Sequence, residues 1–173
     1  MFLAWGNKVS PEFRSKAVYI AKDLGIHPDW LMACMAFETG RTFDPAIKNA
    51  AGSGAVGLIQ FMPATARGLG TTTEELAVMD ALEQLNYVAF YFKRWAGKLH
   101  SLEDVYMAIL WPAAVGKEHY VLFDRNDPNH PKRFIQNAGL DFNKDGLITK
   151  AEATAKVLAM LEQGLLPENA CEV

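Results

Sequence analysis

P-D-W-L-M-A-C-M-A-F-E-T-G-R-T-F-D-P-A-I-K-N-A-A-G-S-G-A-V-G-L-I-Q-F-M-P-A-T-A, residues 28 to 66, is the stretch that decides the fold. Pro28 suits the first position of a helix, and the run L-M-A-C-M-A-F that follows Trp30 is apolar almost all round. Such a pattern predicts a buried helix from Asp29 to about Phe37. From Thr39 to Gly57 the chain turns rich in Gly, Asn, Asp, Ser and Pro without strand alternation. That predicts a long ordered loop, which is uncommon in a compact domain unless it carries function. Pro63 then opens a short helix. Glu38 stands at the junction of helix and loop, where the helix dipole presents partial negative charge and Met35, Ala36 and Phe37 leave little solvation. Both effects raise a carboxyl pKa. A carboxyl group still protonated near neutral pH can serve as a general acid. Taken alone, Glu38 also fits a helix end that caps or pairs with Arg41.

The segments on either side read as further helices. Ser10-Pro11-Glu12 resembles an N-cap with proline at the first helical position, and Phe13, Ala17, Ile20, Ala21 and Leu24 recur at helical spacing until Gly25. Thr72 or Thr73 with Glu75 starts a short helix. Asp80 to about Trp95 forms a long one with Leu82, Leu85, Val88, Ala89 and Phe92, ended by Gly97. Ser101 and Asp104 resemble a capping box before V-Y-M-A-I-L-W, which Pro112 interrupts. Residues 117 to 131 read as polar turns, and Thr149 with Glu152 starts a last helix to about Glu162. The predicted fold class is all-α, one domain over 1–173, with a core of about 10–130, a segment of about 131–163 and a loose tail at 167–173.

Composition narrows function. The 173 residues are 50% hydrophobic, 21% charged and 11% aromatic, which excludes disorder and a coiled coil. Lys plus Arg is 17 against Asp plus Glu 20, a net charge of -3, so no positive field gathers nucleic acid. No apolar run approaches the ~18 residues of a membrane span. Cys34 and Cys171 make neither a disulfide framework nor a C-x-x-C pair, in keeping with a reducing compartment of synthesis. A monomer is expected. Phe2 to Trp5 is the only apolar run near the start, short of the roughly 7 residues a signal peptide needs, so synthesis in the cytoplasm without Sec export is expected.

The segment D-F-N-K-D-G-L-I-T-K-A-E, residues 141 to 152, fits the calcium-loop template D-x-[DN]-x-[DN]-G-x5-E at every fixed position. Calcium takes six to eight oxygens, and the expected ligands are Asp141, Asn143, Asp145, the Leu147 carbonyl, Thr149 directly or through water, and Glu152 bidentately. Gly146 permits the sharp turn, and Ile148 is the apolar residue expected between the ligands. An Asp/Asn/Gly turn capped by Thr149 and Glu152 accounts for several of these residues but not for all. With no second such loop, the expected cofactor is one structural Ca2+, not a sensor pair.

The central stretch resembles the soluble lytic transglycosylase and goose-type lysozyme superfamily, which cuts peptidoglycan glycan strands. The resemblance rests on Glu38-Thr39, Phe43-Asp44-Pro45, Gly54-Ala55-Val56-Gly57-Leu58-Ile59-Gln60 and Met62-Pro63-Ala64-Thr65-Ala66, in the family's order and spacing over about 30 contiguous residues. It implies a lysozyme-like helical domain, here with an EF-hand-like loop and helix appended. It also implies that Glu38 is the catalytic acid/base and that Gln60, with the backbone around Ile59, contacts sugar N-acetyl groups. Gly57, Thr39, Trp111 and Tyr106 are the further substrate-binding candidates. Two positions depart from the family: Ala51 stands where Ser is frequent, with Ser53 displaced, and Trp111-Pro112 replaces a Tyr-Asn pair.

The implied reaction releases 1,6-anhydromuramyl ends, because Asp44, the only nearby acid in the loop, reads as a turn residue. Hydrolysis by a muramidase is the alternative. A calcium-stabilised peptidoglycan-binding module without turnover is another. A peptidoglycan enzyme without a leader points to a phage endolysin or virion-associated lysin, with a secretion-system effector as runner-up.

Overall fold

In the computed structural model, which describes residues 1–173, the local signals place most helices. Ser10 accepts from Phe13 N at 3.2 Å, Pro11 fills the first turn, and α1 (Pro11–Leu24) ends at Gly25 with φ 72. The helix α2 (Pro28–Glu38) is buried along Leu31 to Ala36, the consequence of an apolar surface with no polar face. Then come α3 (Pro63–Gly68), α4 (Thr73–Val78), closed by a Thr72/Glu75 capping box, and α5 (Ala81–Phe92), which tightens into a 3-10 turn over Lys93–Trp95. Ser101 caps α6 (Leu102–Leu110) by accepting from Asp104 N at 3.1 Å.

The C-terminal third differs from expectation in three ways. Residues expected as polar turns contain strand β2 (Val121–Asp124), which pairs antiparallel with β3 (Leu147–Thr149) and sets Phe123 opposite Ile148. A short helix, α7 (Pro131–Asn137), follows β2, and α8 (Lys150–Gly164) follows β3 behind a Thr149/Glu152 capping box. The tail expected to be loose is held. Strand β1 (Phe2–Leu3) pairs antiparallel with β4 (Cys171–Glu172), and Asn7 Nδ2 donates to Ala170 O at 2.7 Å. The fold is therefore mostly helical with four short strands, not wholly α.

One cluster of 38 buried residues runs from Leu3 to Val157, so the segment after residue 130 shares its core with the helices before it. At its centre α2 packs against α8, α6 and α1. The first residues wedge into the same core. Trp5 is 2% exposed, its backbone N donates to Gly164 O at 3.0 Å, and its indole N donates to Met160 O at 2.9 Å. Gly164 permits this approach, since a Cβ there would collide with the indole nitrogen.

Candidate active site

Glu38 is the last residue of α2 and is half-buried. Burial alone pushes its pKa up to about 7. No neighbouring carboxylate or cation contributes, so desolvation is the whole cause. Tyr106 of α6 stands close enough to feel Glu38. Burial first, then the charges of Glu38 and Cys34, hold its phenol above the ordinary range, so it stays a neutral O–H. The Phe37 and Tyr106 rings meet edge to face at 5.6 Å.

The residues after Glu38 serve the turn. Thr39 is fully buried, its hydroxyl donating to Met35 O at 2.7 Å and accepting from Phe43 N at 2.9 Å. It cannot touch a substrate as expected; it closes the helix and launches the loop. Arg41 at φ 72 and Phe43 at φ 52 take left-handed conformations that this bonding holds. Asp44 is exposed, and its Oδ1 accepts from Ala46 N at 2.8 Å, a turn role as predicted.

In the loop, bridges between Lys48 and Val56 and between Val56 and Phe61 fold the glycine-rich segment onto itself. Gln60 has φ 54, a strained backbone of the kind that clusters at functional sites. Its Nε2 donates to Ile47 O and Gly57 O, both at 3.2 Å, which leaves the side-chain carbonyl to accept. Ile59 is 2% exposed, so its side chain belongs to the core. Gly57, also expected at the substrate, is buried and structural. Its φ is 86, and a Cβ there would run into Gln84 Oε1.

Gln84 is the residue that sequence reasoning missed. Fully buried on α5, its Oε1 accepts from Leu58 N at 2.7 Å, and its Nε2 donates to Pro45 O at 2.8 Å and Leu76 O at 2.9 Å. One amide thus joins the Phe-Asp-Pro segment to the Gly-Leu-Ile-Gln segment. The available signal was a glutamine one turn before Val88, on the apolar face that Leu85 and Val88 define. Gln84→Leu leaves the Leu58 N–H and the Pro45 carbonyl without their partner, while Leu76 O keeps its bond from Met79 N at 3.3 Å, and should cost about 2–5 kcal/mol. Urea midpoints against wild type measure this, and glycan cleavage should fall with the loosened loop.

Trp111 caps α6 and is gripped from the C-terminal third. Phe123 meets its ring at 5.3 Å and the Arg133 guanidinium lies over it at 5.1 Å. Below it, Lys150 Nζ donates to Asp104 Oδ1 at 2.6 Å, Ala114 O at 2.9 Å and Lys117 O at 3.0 Å, tying the turn after Trp111 to the start of α8.

In the loop Asp141 to Glu152, the oxygens are turned onto loop N–H groups. Asp141 Oδ1 accepts from Asp145 N at 3.2 Å and its Oδ2 from Gly146 N at 3.1 Å. Asp145 Oδ1 accepts from Leu147 N at 2.8 Å. No group of three or more His, Cys, Asp or Glu side chains is gathered closely enough to hold a metal ion. Arg125 Nη2 lies 3.6 Å from Asp141 Oδ2 and supplies a counter-charge. Glu152 Oε2 accepts from Thr149 N at 2.9 Å and Thr149 Oγ1 at 3.0 Å, the cap expected on the simpler account. Glu152 Oε1 is buried with no partner at all, which the cap leaves unexplained.

Comparison with protein families matches residues 17–109 to the model described as the transglycosylase SLT domain. Glu38, Gln60, Gln84 and Tyr106 all fall inside that span; Trp111 and the 141–152 loop fall outside it. Comparison with curated proteins finds no match.

Proposed function

The chain belongs to the SLT transglycosylase family, and from that premise we propose that Glu38 cuts the β-1,4 bond between N-acetylmuramic acid and N-acetylglucosamine without water, leaving a 1,6-anhydromuramyl end. Membership carries the general activity, lytic transglycosylase action on peptidoglycan. The observation that supports the finer reading is a single carboxyl group raised to about 7 by burial, with no second carboxylate acting on it. Glu38 protonates the bridging oxygen as the C1–O bond breaks, while the muramyl N-acetyl oxygen shields C1. The same carboxylate then takes the proton of the muramyl C6 hydroxyl, whose oxygen closes on C1. One group serves as acid and then as base. Gln60 offers its free carbonyl oxygen to an acetamido N–H, and the neutral Tyr106 hydroxyl steadies the Glu38 carboxylate between the two steps. Hydrolysis would require a second carboxylate roughly 5–9.5 Å away, and Asp44 is occupied in its turn. Mass spectra of the released muropeptides decide the matter. Ends lighter than reducing muramic acid by one water are expected, and reducing ends alone would assign a muramidase.

The same reading includes one structural Ca2+ at the loop Asp141 to Glu152. The buried, partnerless Glu152 Oε1 supports it. The residues to hold the ion are Asp141, Asn143, Asp145, Glu152, the Leu147 carbonyl and Thr149, with Glu152 keeping its cap through the other oxygen. The ion would supply charge neutralisation and loop closure, with no part in bond cleavage. Binding to the folded loop alone stabilises by mass action, about 2.7 kcal/mol at a hundredfold excess over Kd. Chelation should therefore lower the melting temperature of wild type and leave Asp141→Ala/Glu152→Gln unmoved. An unchanged wild-type melting temperature, with no binding heat, would remove the ion from the protein.

A further inference from the structure

Beside the catalytic end of α2 lies an open hollow of about 300 Å3, enclosed by α6, α7 and α8. Phe37, next to Glu38 in the chain, forms one wall with Tyr106 and Leu110. Gln136, Asn137 and Lys156 form its polar rim. That rim lies beyond the stretch that matches the family, which ends at residue 109.

The two sides differ in chemistry. The Phe37 and Tyr106 rings offer an apolar face. The rim offers primary amides and an ammonium. Asn137 Nδ2 is occupied by Arg133 O at 2.8 Å, which leaves its carbonyl oxygen to accept. The ion pairs of the molecule are His27–Asp29, Arg125–Asp141, His130–Asp127 and Lys150–Asp104, and none uses Lys156. A glycan strand of N-acetylated sugars gives an ammonium nothing to neutralise. The anionic groups of peptidoglycan are the carboxylates of the peptides hung on the muramyl lactyl groups. The muramyl unit whose C1 is attacked carries such a peptide on its own ring, so that peptide must start close to Glu38. A hollow at the lower end of ligand-pocket volumes, ~300–1,000 Å3, suits a short peptide segment.

We propose that this hollow is a peptide subsite, holding the start of the stem on the muramyl unit being cut, with Lys156 pairing with a stem carboxylate and Gln136 and Asn137 bonding its peptide groups. The placement of the substrate rests on Glu38 being the acid. The C-terminal third would then make the enzyme read the peptide as well as the sugar.

The test measures binding of two soluble ligands, a GlcNAc-MurNAc disaccharide carrying its tripeptide and the same disaccharide with its lactyl carboxyl capped as the simple amide. Titrations use calorimetry on Glu38→Gln, alone and combined with Lys156→Gln or Lys156→Arg. Lys156 is exposed, so its replacement leaves the fold in place. The expected result is at least fivefold tighter binding of the tripeptide form, a preference that Lys156→Gln brings to near one and Lys156→Arg largely keeps. No preference in the parent, or a preference that survives Lys156→Gln, overturns the subsite. Cleavage by Glu38→Gln would overturn the catalytic reading separately, because the binding comparison needs no turnover.

Discussion

Glu38→Gln should abolish glycan cleavage, by about 10^2–10^4-fold if proton donation is the main loss, while making the protein more stable at alkaline pH. The amide keeps the size of the side chain and cannot donate a proton to the bridging oxygen. In wild type the folded pKa is raised to about 7 by burial, above the ordinary glutamate value of ~4.3. The stability this protonated group contributes is fully present below the unfolded value and is lost as pH rises through the folded value. The loss amounts to up to about 3 kcal/mol by pH 8. Glu38→Gln escapes it, so its melting temperature should exceed wild type's by up to roughly 6–12 °C at pH 8 and match it near pH 4. Wild-type cleavage should fall above pH 7 as the acid ionises. Paired rate and melting measurements across pH check both signs. Retention of more than a tenth of the activity, with contamination excluded, would remove Glu38 from the chemistry.

Breaking the buried pair of Lys150 and Asp104 should be the most destabilising change away from the catalytic end. The two are 8% and 4% exposed. Burial opposes ionisation of Asp104, but hydrogen bonds from Lys150 and from the N–H groups of Gly116 and His100 outweigh it and hold its pKa below the ordinary value. Lys150→Met or Asp104→Ala leaves the other charge buried without its partner, at a cost of about 3–5 kcal/mol. For a chain of this length that is a fall of roughly 6–20 °C in melting temperature. The double variant should cost less than the two single costs added. The contribution of Asp104 is lost only in acid, as pH falls through its lowered pKa, so the gap between Asp104→Ala and wild type should close there. Full additivity in the double variant would show that the pair does not act as a unit.

What was legible in the sequence was local. Ser10, Thr72 and Thr149 cap their helices because the signal and its target lie three residues apart, and α2 announces its burial in every residue of its run. Glu38 was legible for the same reason, since apolar neighbours on a buried helix suffice to raise its pKa by desolvation. Pairings across distance were not. Gln84 reaches Leu58 over 26 residues, and Lys150 reaches Asp104 over 46; neither leaves a periodic trace. Thr39 and Gly57 were assigned to the substrate because they stand in the motif, yet a motif records what builds a site as much as what touches the ligand. The strands β2 and β3 escaped for want of length, three or four residues being too few for alternation to declare itself.

The pairing of β1 with β4 sets an order on folding. Leu3 meets Cys171 across nearly the whole chain, the kind of high contact order that forms late, after the entropy of closing a long loop has been met. Trp5 cannot bury its indole until Met160 and Gly164 exist to receive it. On a ribosome moving from the N-terminus, Trp5 therefore waits, exposed, until Met160 and Gly164 have emerged. Helix α2 waits with it, because α8 is one of its supports. The helix that ends in Glu38 reaches its final packing only once α8 has emerged, and a nascent chain stalled before α8 should be both sticky and inert.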